Sequence, residues 1–344
     1  MKLLPAKKRK VCVVFAGGLG DTLLYVPLLK ALKKRQFHIT ALFYGREEND
    51  CLFDRSLYDK KVHINGKMPL FLFAIRNLKQ FSNFYVNHLA NGKLVNRVGR
   101  ICSSNVTRTD VHEEKRNKRD RKVIYEFSDA EQNLHLLYST ANAKIHSIKE
   151  FQITRTDLSG KFNDISNYLV IQVSSGNNKT PYKNWPIENW LSLIKQLCNN
   201  FPATHFAIVG DNNETSHRED LEKTREANCH VLIGKTTVAQ VFDLVANSKG
   251  YIGLDSGIMH MAVALSKKTL TIFGASDEKL YGYSRINAND HKIISLPIYC
   301  RPCSAWKDAN TSRVTDPMKC PDFACLTNIK VENVYEKVIR HFSL

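Results

Sequence analysis

Two stretches of this chain, VCVVFAGGLGD from Val11 to Asp21 and GYIGLDSGIMH from Gly250 to His260, each run an apolar strand straight into a glycine-bearing turn at the start of a helix. Buried parallel strands read as continuous apolar runs, and the turn that follows one leaves the first helical N–H groups facing outward, where they can hold an anion. Read together, the two stretches describe one divided site for a nucleotide bearing an anionic diphosphate. In the first, Gly17, Gly18 and Gly20 allow a tight turn before a helix predicted over Thr22 to Lys34. Gly18, Gly20 and Thr22 are the candidates for an acceptor or phosphate loop. Pro27 should kink or delay that helix, because its missing N–H breaks the hydrogen-bond ladder. Asp21 reads either as an N-cap or as a general base at the mouth of a site. Gly18 and Gly20 make only the first part of a dinucleotide fingerprint, since Leu23 stands where a third small residue belongs, so a nicotinamide-dependent oxidoreductase ranks last.

A chain of 344 residues predicts two domains, and 43% hydrophobic with 24% charged content is globular. No run of 18 apolar residues predicts a membrane span, and Val11 to Ala16 is too short for a secretory signal. Nine cysteines, an odd number scattered over both halves, fit a reducing compartment, so a cytoplasmic protein is expected. The net charge of +17 calls for a polyanionic partner. Lys7, Lys8, Arg9 and Lys10 crowd one end, and Arg97 to Lys122 holds nine Lys or Arg against four Asp or Glu. That span has no aromatic residue for base stacking, which favours a charged surface or glycolipid over nucleic acid.

Strands near Val11, Ile39, Tyr168, His205, Val231, Tyr251, Leu270 and Ile293 alternate with helical stretches, the pattern of parallel sheets covered on both faces. The polar, turn-rich segment Thr154 to Asn167 precedes the buried run YLVIQV and marks the junction between domains over 1–160 and 161–330. The segment 331–344 carries an amphipathic helix with Val331, Val334, Tyr335, Val338 and Phe342 on one face, expected to pack back on the first domain. Two Rossmann-like halves would face a central cleft lined by the carboxyl ends of their strands.

The second half adds donor-side candidates. Ser174 and Ser175 end a strand, and Lys183 in the following loop is either a surface lysine or a point charge that neutralises a phosphate. Glu214 sits beyond the next strand, either as a solvated loop acid or as an acceptor of hydrogen bonds from ribose hydroxyls. Asp255, Ser256 and Gly257 form a strand-to-helix turn whose N–H groups make an anion nest, and His260 lies one turn into the helix, as a packing residue or a ligand contact.

The order GGLGDTLLYVPLLKAL, VSSG, KNWPIENW, GLDSGIMHMAVAL and TIFGASD resembles glycosyltransferase family 9, the ADP-heptose:lipopolysaccharide heptosyltransferases, from about residue 11 to the final helix. The resemblance implies a GT-B fold and an inverting, metal-independent transfer with no required cofactor. By the same resemblance Asp21 is the catalytic base, Lys183, Ser256, Gly257 and His260 hold the donor diphosphate and sugar, and Asp255 contacts the sugar. The implied partners are an ADP-sugar, a phosphorylated lipid-linked oligosaccharide acceptor and the anionic inner face of the inner membrane, with no nucleic acid. The region from Leu52 to Arg121 matches least, so the acceptor is the least determined part.

Cys300, Cys303, Cys320 and Cys325 approach four-thiolate spacing, but the second pair is too widely spaced for the usual knuckle. Free or packing cysteines are the favoured reading, and a structural metal is the alternative. A rival class, a basic nucleic-acid or anionic-surface binding protein, would use those cysteines as a zinc module.

Overall fold

The computed structural model describes residues 9–45, 55–87, 89–90, 92–110, 121–122, 128–154, 162, 165–175, 180–303 and 317–344. The chain divides into two compact units, Met1–Arg155 and Thr156–Leu344, within the polar segment that the sequence marks as a junction.

In the first unit, β1 (Lys10–Phe15), β2 (His38–Tyr44), β3 (Lys60–Ile64), β4 (Asn83–Val86), β5 (Val106–Asp110) and β6 (Arg121–Lys122) form a sheet in the order β3-β2-β1-β4-β5-β6. In the second, β7 (Tyr168–Gln172), β8 (His205–Val209), β9 (Cys229–Val231), β10 (Gly250–Leu254), β11 (Lys268–Ile272) and β12 (His291–Ile294) follow the order β12-β11-β10-β7-β8-β9. Every described pairing is parallel, and both units repeat the 3-2-1-4-5-6 order of a doubly wound sheet. The eight strands expected from apolar runs are present, whereas β3, β5 and β6 carry mixed, basic sequences (KKVHI, VTRTD, RK) that hide them from a hydrophobicity reading, and β4 (NFYV) is only four residues long.

Pro27 acts as expected. The helix predicted over Thr22 to Lys34 is two helices, Leu19–Leu23 and Val26–Lys34, and Pro27 sits in the first turn of the second, where its missing N–H costs nothing. Tyr25, between them, donates its hydroxyl to the Val14 carbonyl at 2.9 Å.

The final helix, Val331–Phe342, corrects one expectation. Its buried Val334, Val338 and Phe342 belong to the second unit's core, together with Trp185, Trp190 and Leu326. It packs on the helix Ile187–Asn200 and on β11. The apolar face expected to return to the first domain is therefore already occupied in the second. Trp185 Nε1 donates to the Ile329 carbonyl at 3.1 Å, which anchors the segment leading into that helix.

Candidate active site

The loops after β7 and β10 leave neighbouring strands where the second sheet's order reverses, which is where open α/β sheets bind ligands. Asp255, at the end of β10, is only 3% exposed. It accepts hydrogen bonds from Lys183 Nζ at 2.7 Å and from Ser276 Oγ at 2.6 Å. Burial alone would raise its carboxyl. The facing charge of Lys183, the two hydrogen bonds and His260 together outweigh burial and hold it below the usual carboxylate range. The pair fixes a lysine ammonium at the strand ends, with Lys183 itself only partly buried.

Ser256 occupies the N-cap position of the helix Gly257–Ala264, but its hydroxyl makes no cap bond. It is bonded instead to Gln172 Oε1, which Tyr251 Oη also approaches at 2.9 Å. Gln172 Nε2 donates to the Ser174 carbonyl at 2.7 Å, and Tyr251 Oη accepts from Leu254 N at 3.0 Å. This network ties the ends of β7 and β10 together and leaves the helix start, including Gly257, without a side-chain cap. Those N–H groups carry the positive end of the helix dipole. Gly253 permits the arrangement, because a Cβ there would strike the Tyr251 hydroxyl.

His260 is buried, with Nδ1 2.7 Å from Tyr283 Oη, so its ring is held by a specific partner close to the Asp255 charge. Burial pushes the Tyr283 hydroxyl far up and keeps it protonated. Glu214 is buried beyond β8, its carboxyl lying over Gly210, where a Cβ would collide with it. Among the described residues neither Glu214 oxygen makes a hydrogen bond of ordinary geometry, and its polar neighbours are the Ser174 hydroxyl and the Asp211 backbone. Burial pushes its carboxyl up to about 7. Ser175 is engaged within its own loop, its N–H and Oγ lying 2.8 and 2.7 Å from Asn184 Oδ1.

In the first unit, the turn after β1 brings Asp21 back over the glycines. Asp21 Oδ2 accepts from Gly18 N at 2.6 Å, and Gly17 has φ +104° with no room for a Cβ beside the carboxylate. Among the described residues Oδ1 takes no hydrogen bond. Thr22 Oγ1 donates to the Gly18 carbonyl at 3.0 Å, so its hydroxyl serves the turn, and Gly20 lies within the helix Leu19–Leu23.

Cys300, Cys303, Cys320 and Cys325 line one small pocket with Tyr182, Arg301 and Asp322. All four are free thiols, and among the described residues no three His, Cys, Asp or Glu side chains are arranged to hold a metal ion. Of the basic clusters, Lys7, Lys8 and the residues 111–120 lie outside the described residues.

No sequence motif marks Gln172, Tyr251, Ser276 or Tyr283 as site residues. Each is a polar residue whose partner is distant along the chain, and the one local signal was Gly253 inside an otherwise apolar strand.

Two Rossmann-type sheets, each with its polar residues gathered at the strand ends, define the GT-B class of glycosyltransferase architecture. The heptosyltransferase II structure for ADP-heptose and lipopolysaccharide from Escherichia coli has this fold, with a TM-score of 0.72 at 18% identity, over 97% of this chain and 98% of that one. A glycosyltransferase family 9 structure from Veillonella parvula gives 0.73 at 15% identity, over 97% of each. The profile of glycosyltransferase family 9 (heptosyltransferase) matches residues 114–312, more than half of the chain, and the protein belongs to that family. It is therefore a glycosyltransferase, which displaces the oxidoreductase and binding-protein readings. Lipooligosaccharide heptosyltransferase 2 of Campylobacter jejuni is 22% identical over 335 residues, covering 96% of this chain and 98% of that one. No helix among the described residues is long and apolar enough to cross a membrane.

Proposed function

We propose that this protein transfers heptose from ADP-heptose to the inner core of a lipopolysaccharide or lipooligosaccharide, with inversion at the anomeric carbon and without a metal. The reading is carried by the Lys183–Asp255 pair beside the uncapped start of the helix Gly257–Ala264. As the bond from the anomeric carbon to the diphosphate breaks, the bonding electrons leave with ADP, and negative charge grows on the departing oxygens. A fixed ammonium and backbone N–H groups stabilise that charge where it develops. Ser256 and His260 border the same helix turn, and Glu214 is assigned to the ribose hydroxyls.

The acceptor hydroxyl forms the new bond to the anomeric carbon as its proton passes to Asp21. The bond from Gly18 N to Oδ2 fixes the carboxylate and leaves Oδ1 to take the proton. The named lipooligosaccharide and lipopolysaccharide heptosyltransferase 2 relatives support heptose as the sugar and a lipid-linked core as the acceptor. Such an acceptor places the enzyme at the cytoplasmic face of the inner membrane, where a net charge of +17 meets anionic headgroups.

The test is mass spectrometry of a truncated core-acceptor series incubated with ADP-heptose in EDTA. Wild type should add one heptose mass. Asp21→Asn should lower turnover about 10²- to 10⁴-fold while keeping its ADP affinity. Bound ADP with no mass gain across the series would reject the donor or acceptor, and a fully active Asp21→Asn would reject the base.

A further inference from the structure

The helix Lys67–Arg76 is apolar on two opposite sides. Leu70, Phe73 and Ala74 face inward and join the first unit's core. On the other side Met68, Phe71, Leu72 and Ile75 recur at helical spacing as one stripe, continued by Leu78, and these five are 45–68% exposed. Exposed large apolar residues in soluble proteins are usually scattered singly. Here five of the eight found among the described residues fall on this one short segment. Leu70, Phe73 and Ala74 seat the helix on the first unit's core, and the second stripe stays outside that core.

The chain around this helix carries one sign of charge. From Lys60 to Thr109 the chain has nine Lys or Arg and no Asp or Glu. The helix Lys93–Cys102 packs beside the first and buries Val95, Val98 and Cys102. Its Lys93, Arg97 and Arg100 are exposed at helical spacing, and Lys67 and Arg76, at the two ends of the neighbouring helix, are exposed too. Lys79 Nζ donates to the Arg100 carbonyl at 2.8 Å, which links the ends of the two segments.

We propose that the stripe of Met68, Phe71, Leu72, Ile75 and Leu78, flanked by Lys67, Arg76, Lys93, Arg97 and Arg100, docks this protein on an anionic lipid bilayer. The apolar side chains enter the boundary between headgroups and acyl chains, and the basic side chains lie against the headgroups, as in an interfacial amphipathic helix. A second copy of the chain is the poorer occupant. A two-fold contact would set this basic rim against itself, whereas an anionic bilayer supplies the opposite charge. The proposal deepens the membrane-facing part of the function proposed above, but it rests on residues that the transfer chemistry does not use.

The experiment is co-sedimentation of the full chain with phosphatidylcholine vesicles, with and without phosphatidylglycerol, at low and high salt. Two variants accompany it, Phe71→Ser/Ile75→Ser and Lys93→Gln/Arg97→Gln, with far-UV circular dichroism and a urea unfolding curve of each as the check that it is folded. Wild type should partition onto the phosphatidylglycerol vesicles and lose most of that binding in high salt or on phosphatidylcholine alone. Each variant should bind about tenfold more weakly. A separate Ile75→Trp protein should show a blue-shifted emission on the anionic vesicles. Unchanged partition in both folded variants, or no wild-type binding with no emission shift, would overturn the proposal. So would a wild-type dimer that Phe71→Ser/Ile75→Ser dissociates, because that would assign the face to a second copy. Vesicle binding is read without any sugar transfer, so failure here and failure of the transfer reading are separate results.

Discussion

Glu214 and Asp255 are both buried carboxylates of the second unit, and they differ in what faces them. Asp255 has Lys183 and Ser276 and stays ionised, while Glu214 has no cation partner among the described residues and is pushed up to about 7 by burial. If ribose hydroxyls donate to Glu214, the ionised form binds the donor. Affinity for ADP-heptose, whose diphosphate diester does not titrate in this range, should then rise about tenfold between pH 6 and pH 8. Calorimetry at the two pH values on wild type and Glu214→Gln checks this. The variant should bind more weakly with a flat profile, and a slope retained in the variant would remove Glu214 from the ribose. Asp255→Ala leaves the Lys183 ammonium without its buried partner. Its urea unfolding free energy should fall by about 3 kcal/mol, the scale of a broken buried pair.

At the level of elements, the turn between β1 and the helix Leu19–Leu23 is built around Asp21. Gly17 holds φ +104°, and a Cβ there would lie 2.5 Å from Asp21 Oδ2. Gly17→Ala therefore has to change the backbone or move the carboxylate, at a cost of about 1–3 kcal/mol. Turnover should fall while ADP affinity, which the proposed function assigns to the second unit, stays the same. Single-turnover kinetics beside a binding titration separates the two, and a loss confined to ADP affinity would contradict the assignment. This turn was legible from the sequence because every residue it needs lies within a dozen positions. The Gln172–Tyr251–Ser256 network was not, since it joins the ends of two strands about 80 residues apart.

On the scale of the molecule, each unit has its own hydrophobic core, and the second closes over His291. That imidazole has Nδ1 3.1 Å from Thr269 Oγ1, and burial chiefly pushes it down to about 4. The unfolded chain takes up the proton near pH 6.5, while the folded unit resists until about pH 4. Between these values the unfolded state holds more protons, so stability rises with pH across this window and falls on acidification. The loss on going from pH 7 to pH 4 from this residue should approach about 3 kcal/mol. Denaturant midpoints for wild type and His291→Gln should converge as pH falls, and parallel curves would show that His291 does not titrate this way.

The sequence by itself determined what depends on neighbours along the chain. Apolar runs specified eight of the strands, glycines and Pro27 the turns and the split first helix, and the order of short motifs the family and the candidate residues Asp21, Lys183, Asp255 and Ser256. Periodicity also revealed that Val331 to Phe342 has an apolar face, since spacing alone defines a helix stripe. Only the tertiary structure decided which surface that face covers, because every apolar surface is an equally good partner until the topology places one beside it. For the same reason it alone paired Lys183 with Asp255, turned the Ser256 hydroxyl toward Gln172 and left the stripe from Met68 to Leu78 open. Those outcomes depend on which strands become neighbours, and strand order is a property of the folded sheet that no single segment encodes.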